Sequence, residues 1–324
     1  MKDSFSIGNS VVTHGETNLE APTQKPLTST SSGNTRPIQY PTGYPQKSDR
    51  TLMVTHRLSE ERQQQPRFSV VMTHTGFIAS TFRPAIRSLI QQSFCDWELI
   101  FVSSCSQACL DVEELSKEHG LNVRVKHDYL SETRSERFRR AVGMAHGITV
   151  CVLDSDDLLH IHALRTVDWC LRKLPEFKYF TTSHQEINLA GVEGAINTAS
   201  AYAHTLEAMT EGFRQKHFWG FPNTPKDWIP EMLKSPYICE DYFMFSHMAR
   251  RSIAILPIPN ICYYYRIHAM QLTQQQPKEI ARMVASLRAA NKAASQAKGS
   301  GFRVQQLVQA SIICGKVQKL YLPD

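Results

Sequence analysis

The feature that most constrains this chain is a short, largely apolar run that ends in a cluster of carboxylates. Residues 148–153, with the sequence ITVCVL, predict a strand that is buried on both faces of a sheet. Asp154, Asp156 and Asp157 follow within four residues, where such a strand meets solvent. Carboxylates this crowded repel one another, so a divalent cation or a cationic group is expected to keep them ionised together. The alternative is a solvated acidic turn in which Asp156 or Asp157 caps the next helix.

Strand and helix patterns alternate through the middle of the chain with short connections. Compact apolar runs predict strands at residues 68–72 and 97–102, and helical spacing of apolar residues follows each of them. This alternation is typical of an α/β fold, a mostly parallel sheet with helices on both faces. Ligands of such sheets bind beyond the carboxyl ends of the strands. Residues 73–76, residues 103–106 and the Asp cluster all lie at such ends, which favours a ligand or metal site.

Composition divides the 324 residues into three parts. Residues 1–66 are rich in Ser, Thr, Pro, Gln and Asn and predict a disordered leader. Residues 67–276 carry the strand and helix pattern of one domain, and residues 277–324 predict a helical tail with a break at Gly299 and Gly301. The net charge of +6 belongs to this tail, which has eight Lys or Arg against two Asp or Glu, whereas the domain has 21 against 22.

This charge distribution bears on the partners of the chain. A nearly neutral domain argues against a broad face that binds nucleic acid. The basic amphipathic tail is expected to lie on an anionic membrane, to associate with another subunit, or to pack on its own domain.

Cysteine usage and the absence of long apolar runs indicate a cytoplasmic protein. The eight cysteines are scattered, form no CxxC pair and lie mostly in apolar segments, which indicates free thiols in a reducing compartment and disfavours a zinc site. The N-terminus has no apolar core of signal-peptide length, and no run approaches the ~18 apolar residues of a membrane span. We therefore expect a cytoplasmic protein, with any contact to the inner face of the membrane being peripheral.

Five segments follow one another at ordinary spacing between residues 67 and 275: SVVMTHTGF, SLIQQSFCDWELIFV, AHGITVCVLDSDDLL, CEDYFM and ICYYYRIHAMQLT. In this order they resemble the family 2 glycosyltransferases, which have the GT-A fold. The resemblance implies a Rossmann-like GT-A domain that binds a nucleotide-sugar donor. Both ends of the chain lie outside it.

The resemblance implies a role for several residues of these segments. Asp154 and Asp156 match the DxD motif, in which Asp154 contacts the ribose of the donor and Asp156 coordinates Mn²⁺ or Mg²⁺ at the diphosphate. Asp241 matches the general base of an inverting transfer, with Glu240 orienting it or the acceptor. His268 stands where some members place a histidine near the metal. Two plainer interpretations stay open: Glu240 and Asp241 as acids favoured by a helix dipole, and His268 as a structural residue.

The chain departs from the family around the nucleotide. Ser103 and Ser104 stand where most members have an acidic pair that contacts the base, and a neutral hydroxyl cannot make the same charge-assisted hydrogen bond. Thr73 and His74 replace the usual Pro-Thr, and Arg139 replaces an Asn. Either the base is recognised differently or donor binding is lost. The residues expected to bind the donor are Thr73, Thr75, Ser103, Ser104, Arg139 and Asp154.

These residues predict a metal-dependent inverting glycosyltransferase of the hexosyltransferase type. It would move a single sugar to a hydroxyl of a glycan, a lipid-linked sugar or a protein, because QQLVQ lacks the Arg-Trp of the QxxRW-type signature of processive members. The alternative is a catalytically silent GT-A module that binds a glycan or a protein. A nucleotidyltransferase is disfavoured, since THTGFIAST has one Gly and no basic residue. Residues 189–236, around Trp219, are either a binding loop or a packed irregular segment.

Overall fold

The structure is a computed structural model that describes residues 65–75, 79–129, 133–211, 218–224, 240–269, 271 and 277–321. The predicted leader, residues 1–66, lies outside these ranges except for its last two positions. The strands are β1 (Phe68–His74), β2 (Trp97–Ser103), β3 (Val123–His127), β4 (Thr149–Val152), β5 (Leu158–Leu159), β6 (Tyr179–Asn188), β7 (Glu193–Asn197), β8 (Trp219–Pro222) and β9 (Ile255–Ile267). The helices are α1 (Ala79–Ile90), α2 (Ser106–His119), α3 (Arg134–Met144), α4 (Ala163–Lys173), α5 (Leu206–Glu211), α6 (Glu240–Arg250) and α7 (Pro277–Tyr321), and a short 3₁₀ helix spans Ala201–His204.

The strands form one sheet in the order β3-β2-β1-β4-β8-β6-β9-β5, with β7 paired to β6. Strands β1 to β4 are parallel to one another, and β6 is parallel to β9. Because β8 runs antiparallel to both β4 and β6, the pair β6 and β9 has the same direction as β1. The α/β fold class with a mostly parallel sheet, predicted from the sequence, is confirmed.

Two apolar cores form on opposite faces of this sheet. Along β1, Phe68 and Val70 enter one core and Val71 enters the other, as the alternation of side chains along a strand dictates. The first core includes buried residues of α1, α2 and α4, and the second includes those of α3 and α6. The strands next to the acidic cluster are therefore held in place by helices on both sides.

The structure corrects two details near the acidic cluster. The strand β4 begins at Thr149, and Ile148, which the sequence placed in a buried strand, is 47% exposed. Trp219 lies in β8, between β4 and β6, and is only 4% exposed, so it belongs to the central sheet and not to a binding loop. Residues 212–217 and 225–236 of the same segment lie outside the described residues.

The segment after α6 is one long strand, β9, which contains both Pro257 and Pro259. Proline has no N–H group to donate to a neighbouring strand. It is therefore tolerated at a strand edge, where no neighbour needs that donor. On the side of β9 away from β6, the described partner β5 pairs only with Tyr263 and Tyr264, so both prolines lie beyond this pairing. The pairing of β9 with β6 also shifts register after Ile258.

The predicted basic tail is α7, and it packs against the domain. Gly299, with φ 75° and ψ −177°, interrupts the helix where the sequence predicts a break, whereas Gly301, the second glycine predicted to break it, is helical. Before it, Met283 and Leu287 enter the second core, and after it, Ile313 and Val317 enter the first. Among the helices that the structure describes, none combines the length and the apolar character needed to cross a membrane.

A buried carboxylate joins three elements at the amino ends of the strands. Glu98 is 0% exposed. Its oxygens accept hydrogen bonds from Ser69 Oγ at 2.6 Å, from Arg124 Nε at 2.9 Å and from the backbone N–H groups of His146 and Gly147 at 2.7 and 3.1 Å. Four donors therefore meet at one side chain, and one of them, the backbone N–H of Gly147, also donates to Ser69 Oγ at 2.7 Å.

We expect Glu98→Ala to lower the free energy of unfolding by about 3 kcal/mol, because it leaves buried donors unpaired and opens a cavity. Urea denaturation at neutral pH measures this change. The control is Glu113→Ala, at an exposed position of α2, which should change stability by no more than about 0.5 kcal/mol. Equal effects of the two substitutions would contradict the structural role of Glu98.

Candidate active site

The carboxyl ends of β1, β2 and β4 lie side by side at one edge of the sheet. His74, at the end of β1, is opposite Ser103, at the end of β2, and β4 pairs with the other side of β1. His74 Nδ1 lies 3.1 Å from the hydroxyl of Ser155, in the turn between Asp154 and Asp156. The three strand ends singled out in the sequence therefore meet at one place, which we call the acidic site.

Asp157 turns into the protein and anchors the acidic turn to β9. It is 1% exposed and accepts hydrogen bonds from the hydroxyl of Tyr263 at 2.8 Å and from the backbone N–H of Arg266 at 2.7 Å. The prediction that Asp156 or Asp157 caps the next helix is wrong. The chain continues into β5, and α4 begins only at Ala163.

Asp154 and Asp156 keep their carboxylates partly open to solvent. Their side chains are 28% and 30% exposed. Asp156 Oδ2 lies 3.1 Å from Nε2 of His268, whose side chain is only 3% exposed. Burial, followed by the charge of Asp154, raises the pKa of Asp156, while Arg134 and His268 act in the opposite direction. The structure thus brings together Asp156 and His268, the two metal ligands predicted from the resemblance.

Arg134 is the cationic group that lies against Asp154, the first of the crowded carboxylates. Its Nη2 donates to Asp154 Oδ1 at 2.6 Å, and its Nε lies 3.2 Å from both carboxylate oxygens of Glu240. One guanidinium therefore connects the acidic turn after β4 with the first turn of α6. The sequence interpretation did not identify Arg134.

The position of Arg134 follows from the start of α3. Thr133 is the N-cap, and it forms a capping box with Glu136 in which each side chain pairs with the other residue's backbone N–H. This box sets Arg134 in the first turn of the helix. The TRSE pattern predicts this helix start, but the contact with Glu240 joins residues 106 positions apart, and no local pattern predicts it.

The acidic pair at the start of α6 differs in its contacts. Glu240, 4% exposed, faces Arg134, while Asp241 Oδ1 accepts the backbone N–H of Tyr242 at 2.7 Å. Burial raises the pKa of Asp241 to about 7, with further contributions from the charges of Glu240 and Asp154. A carboxyl group with this pKa is suited to exchange a proton near neutral pH.

The other residues predicted to bind the nucleotide-sugar donor divide into those at the strand ends of the acidic site and one that lies away from it. Ser103 is fully buried and accepts the backbone N–H of Cys105, and Ser104 Oγ donates to the carbonyl oxygen of Thr75 at 3.2 Å. Thr73 is half-buried in β1, in the strand end that forms the acidic site. Arg139 is exposed, and five residues after Arg134 it lies about 140° around α3, so the structure does not bring it into the site.

His74 is a further residue of the site that the sequence interpretation did not assign. Its ring is 4% exposed and packs against Phe82 and Phe101. Burial lowers the pKa of His74 to about 4, so the ring is neutral at physiological pH. His74 therefore positions the turn through Ser155 without adding charge.

The side-chain atoms at the acidic site are suitable ligands for a divalent metal ion. An aspartate oxygen and a histidine nitrogen, from Asp156 and His268, are ligands that Mn²⁺ accepts. Within the described residues, no group of three or more His, Cys, Asp and Glu side chains forms a complete metal site. Few protein ligands are usual where substrate phosphates supply the remaining oxygens.

Comparison with known proteins gave structural similarities alone. No protein-family model matches the chain, and no curated protein matches it. The structure of S. aureus TarS 1-349 in complex with UDP-GlcNAc is 18% identical, with a TM-score of 0.49 over 69% of this chain and 66% of that chain. The same protein in complex with UDP is 17% identical, with a TM-score of 0.46, and this chain spans 65% of its length.

A mannosyltransferase shows a similarity of the same order. PcManGT from Pyrobaculum calidifontis, in complex with GDP-Man and Mn²⁺, is 14% identical, with a TM-score of 0.47 over 80% of this chain and 85% of that chain.

Proposed function

We propose that this chain is a metal-dependent inverting glycosyltransferase of the GT-A type that moves one sugar from a nucleotide-sugar to a hydroxyl acceptor. One observation carries the proposal: at the carboxyl edge of the sheet Arg134 contacts both Asp154 and Glu240, and His268 contacts Asp156, so three contacts join segments that are distant in sequence. That edge is where ligands of parallel α/β sheets bind.

On the donor side, the partly open carboxylates have different roles. Asp154 would accept a hydrogen bond from the ribose, and Asp156 with His268 would hold a divalent metal ion. A bound Mn²⁺ or Mg²⁺ would supply positive charge to stabilise the diphosphate leaving group. Arg134 holds Asp154 in place before the donor arrives.

On the acceptor side, Asp241 takes the proton of the acceptor hydroxyl as its oxygen attacks the anomeric carbon. The bond to the diphosphate breaks on the opposite side of that carbon, so the configuration inverts in one displacement. Because its pKa is about 7, Asp241 can hold the proton once the transfer is complete. Glu240, fixed by Arg134, supports the start of the helix that carries Asp241.

A catalytically silent binding module is the second candidate. Two observations favour it. Ser103 and Ser104 replace an acidic pair, and the carboxylate of Asp154 already accepts a hydrogen bond from Arg134. A silent module would bind a glycan or a protein without needing a donor. Donor binding therefore separates the two candidates.

The experiment is a thermal shift and donor-hydrolysis panel with UDP-GlcNAc, UDP-glucose, GDP-mannose and dTDP-glucose, each with and without Mn²⁺. A donor at about ten times its Kd adds about 1.4 kcal/mol of stability, which raises the Tm by about 3 to 6 °C for a domain of this size. No shift and no hydrolysis with any donor would favour the silent module.

Asp156→Ala tests the metal role in the same assay. We expect the Mn²⁺-dependent part of the donor stabilisation to disappear, because the remaining histidine alone holds the ion weakly. Asp96→Ala, at an exposed position before β2, is the matched control and should keep the full shift. Retention of the Mn²⁺-dependent shift by Asp156→Ala would refute the metal role.

A further inference from the structure

The part of α7 after Gly299 carries apolar side chains on the side that faces solvent. Four of them are exposed by 43% to 59%. Their spacing of three, one and four residues places them along one side of a helix that turns about 100° per residue. We call them the apolar stripe: Val304, Leu307, Val308 and Ile312.

The opposite side of the same helix packs on the domain. Ala310, Ile313 and Val317 are buried in the first core, and Gln306 Nε2 donates to the carbonyl oxygen of Ala249 at 2.7 Å. The helix is thus already fixed to the domain through its buried side. The apolar stripe is not needed for that packing, so its exposure calls for a separate explanation.

The part of α7 before Gly299 has no such stripe. Its exposed positions include Arg282, Arg288, Ala289, Lys292 and Ala293, which are charged or small. The two parts are helical segments on either side of Gly299 and pack on the same domain, yet large apolar side chains face solvent in one part alone. The apolar stripe is therefore a local feature and not a general property of this tail.

Positive charge accompanies the apolar stripe. Residues 298–321 contain four Lys or Arg and no Asp or Glu. Apolar side chains on a helix rich in cations are the features with which interfacial helices bind anionic lipid. The basic residues are Lys298, Arg303, Lys316 and Lys319.

We propose that the apolar stripe and the cations around it form a docking surface for an anionic lipid membrane. This proposal does not depend on the proposed function. A second copy of the chain is a poorer occupant, because a self-complementary contact would bring basic residues against basic residues. Glu176, the acid that contacts this part of α7, is already paired with Lys316 at 2.6 Å.

The surroundings of the apolar stripe are compatible with contact to lipid. An open groove of about 550 Å³ lies beside it, lined by Phe177, Ala254, Val308, Ile312 and Ile313 among others. Phe177 and Ala254 precede β6 and β9, so the groove lies at the amino ends of the strands. The acidic site lies at the carboxyl ends, so docking leaves it open to solution.

The experiment is co-sedimentation of the full chain with vesicles. One preparation contains phosphatidylcholine alone, and the other is an equimolar mixture of phosphatidylcholine and phosphatidylserine. We expect binding to the mixed vesicles at least tenfold tighter than to the neutral ones, and weaker at high salt. The double variant Val308→Asp with Ile312→Asp should lose at least tenfold in affinity for the mixed vesicles.

Matched variants keep the test specific. Ala289→Asp with Ala293→Asp adds the same two charges to exposed positions of the other part of α7 and should lose at most threefold. Val308→Ser with Ile312→Ser should weaken binding without a change of charge. All variants should keep the Tm of the unmodified chain, because the positions are exposed.

Two outcomes would overturn the proposal. The first is no binding of the unmodified chain to either vesicle preparation. The second is a dimer, seen by analytical ultracentrifugation, that the Val308→Asp and Ile312→Asp substitutions dissociate, which would identify a second copy as the occupant of the apolar stripe.

Discussion

Asp241→Asn is expected to lower the rate of sugar transfer by about 10²- to 10⁴-fold, the contribution of a removed general base. An asparagine has nearly the same shape as an aspartate but cannot accept the proton of the acceptor hydroxyl. Donor and metal binding should persist, because Asp154, Asp156 and His268 remain. The measurement is the transfer or donor-hydrolysis rate, alongside the thermal shift with donor and Mn²⁺.

The pH profile gives this prediction a second readout. A base must be unprotonated to act, so the rate should rise with pH and level off above about pH 7, the pKa of Asp241. The charged groups around Asp241 are Glu240 and Asp154, which raise its pKa after burial, and Arg134, which lowers it. Asp241→Asn should remove this dependence from the residual rate.

The control for this substitution is Asp96→Asn, which makes the same chemical change at an exposed position before β2. It should leave both the rate and the pH profile unchanged. If Asp241→Asn keeps the rate within a few fold while the donor still binds, Asp241 is not the base.

Arg134→Met is expected to affect both sides of the acidic site. It removes the cation that joins Asp154 to Glu240, so two acids lose their partner. We expect the free energy of unfolding to fall by up to about 3 kcal/mol. This value is at the low end for breaking a buried ion pair, because the side chains of Arg134 and Asp154 are about 30% exposed. The pH at which the rate levels off should also rise, since Arg134 lowers the pKa of Asp241.

Two further variants separate charge from geometry at Arg134. Arg134→Lys keeps the positive charge but lacks the planar guanidinium that can contact two carboxylates at once. Compared with Arg134→Met, it should recover part of the free energy of unfolding and little of the affinity for the nucleotide-sugar donor. Arg139→Met makes the same change as Arg134→Met at an exposed position of α3 and should have little effect. A wild-type Tm and pH profile in Arg134→Met would show that Arg134 does not position these acids.

Much of the fold could be predicted because it depends on local patterns. The alternation of strands and helices predicts a mostly parallel sheet, and the carboxyl ends of β1, β2 and β4 meet as expected. The pairing of Asp156 with His268 agrees with the ligands inferred from the resemblance, although their function remains a proposal. The break at Gly299 also follows from sequence, since a left-handed φ is easy for glycine alone.

The other features depend on contacts that no local pattern contains. Asp157 resembles a helix cap in sequence, but Tyr263 and Arg266 of β9 bring it inside the protein. Trp219 belongs to an irregular segment in sequence, but β4 and β6 enclose it in the sheet.

The acidic turn itself shows where sequence ends and tertiary structure begins. The sequence by itself determined that three crowded carboxylates end a buried strand and need a positive partner. The tertiary structure alone decided which group that is, because Arg134 meets Asp154 and Glu240 through the packing of α3, β4 and α6. The alternation of side chains along a strand and the capping of a helix are set within a few residues. Ion pairs between distant segments form only when the sheet order and the helix packing bring those segments together.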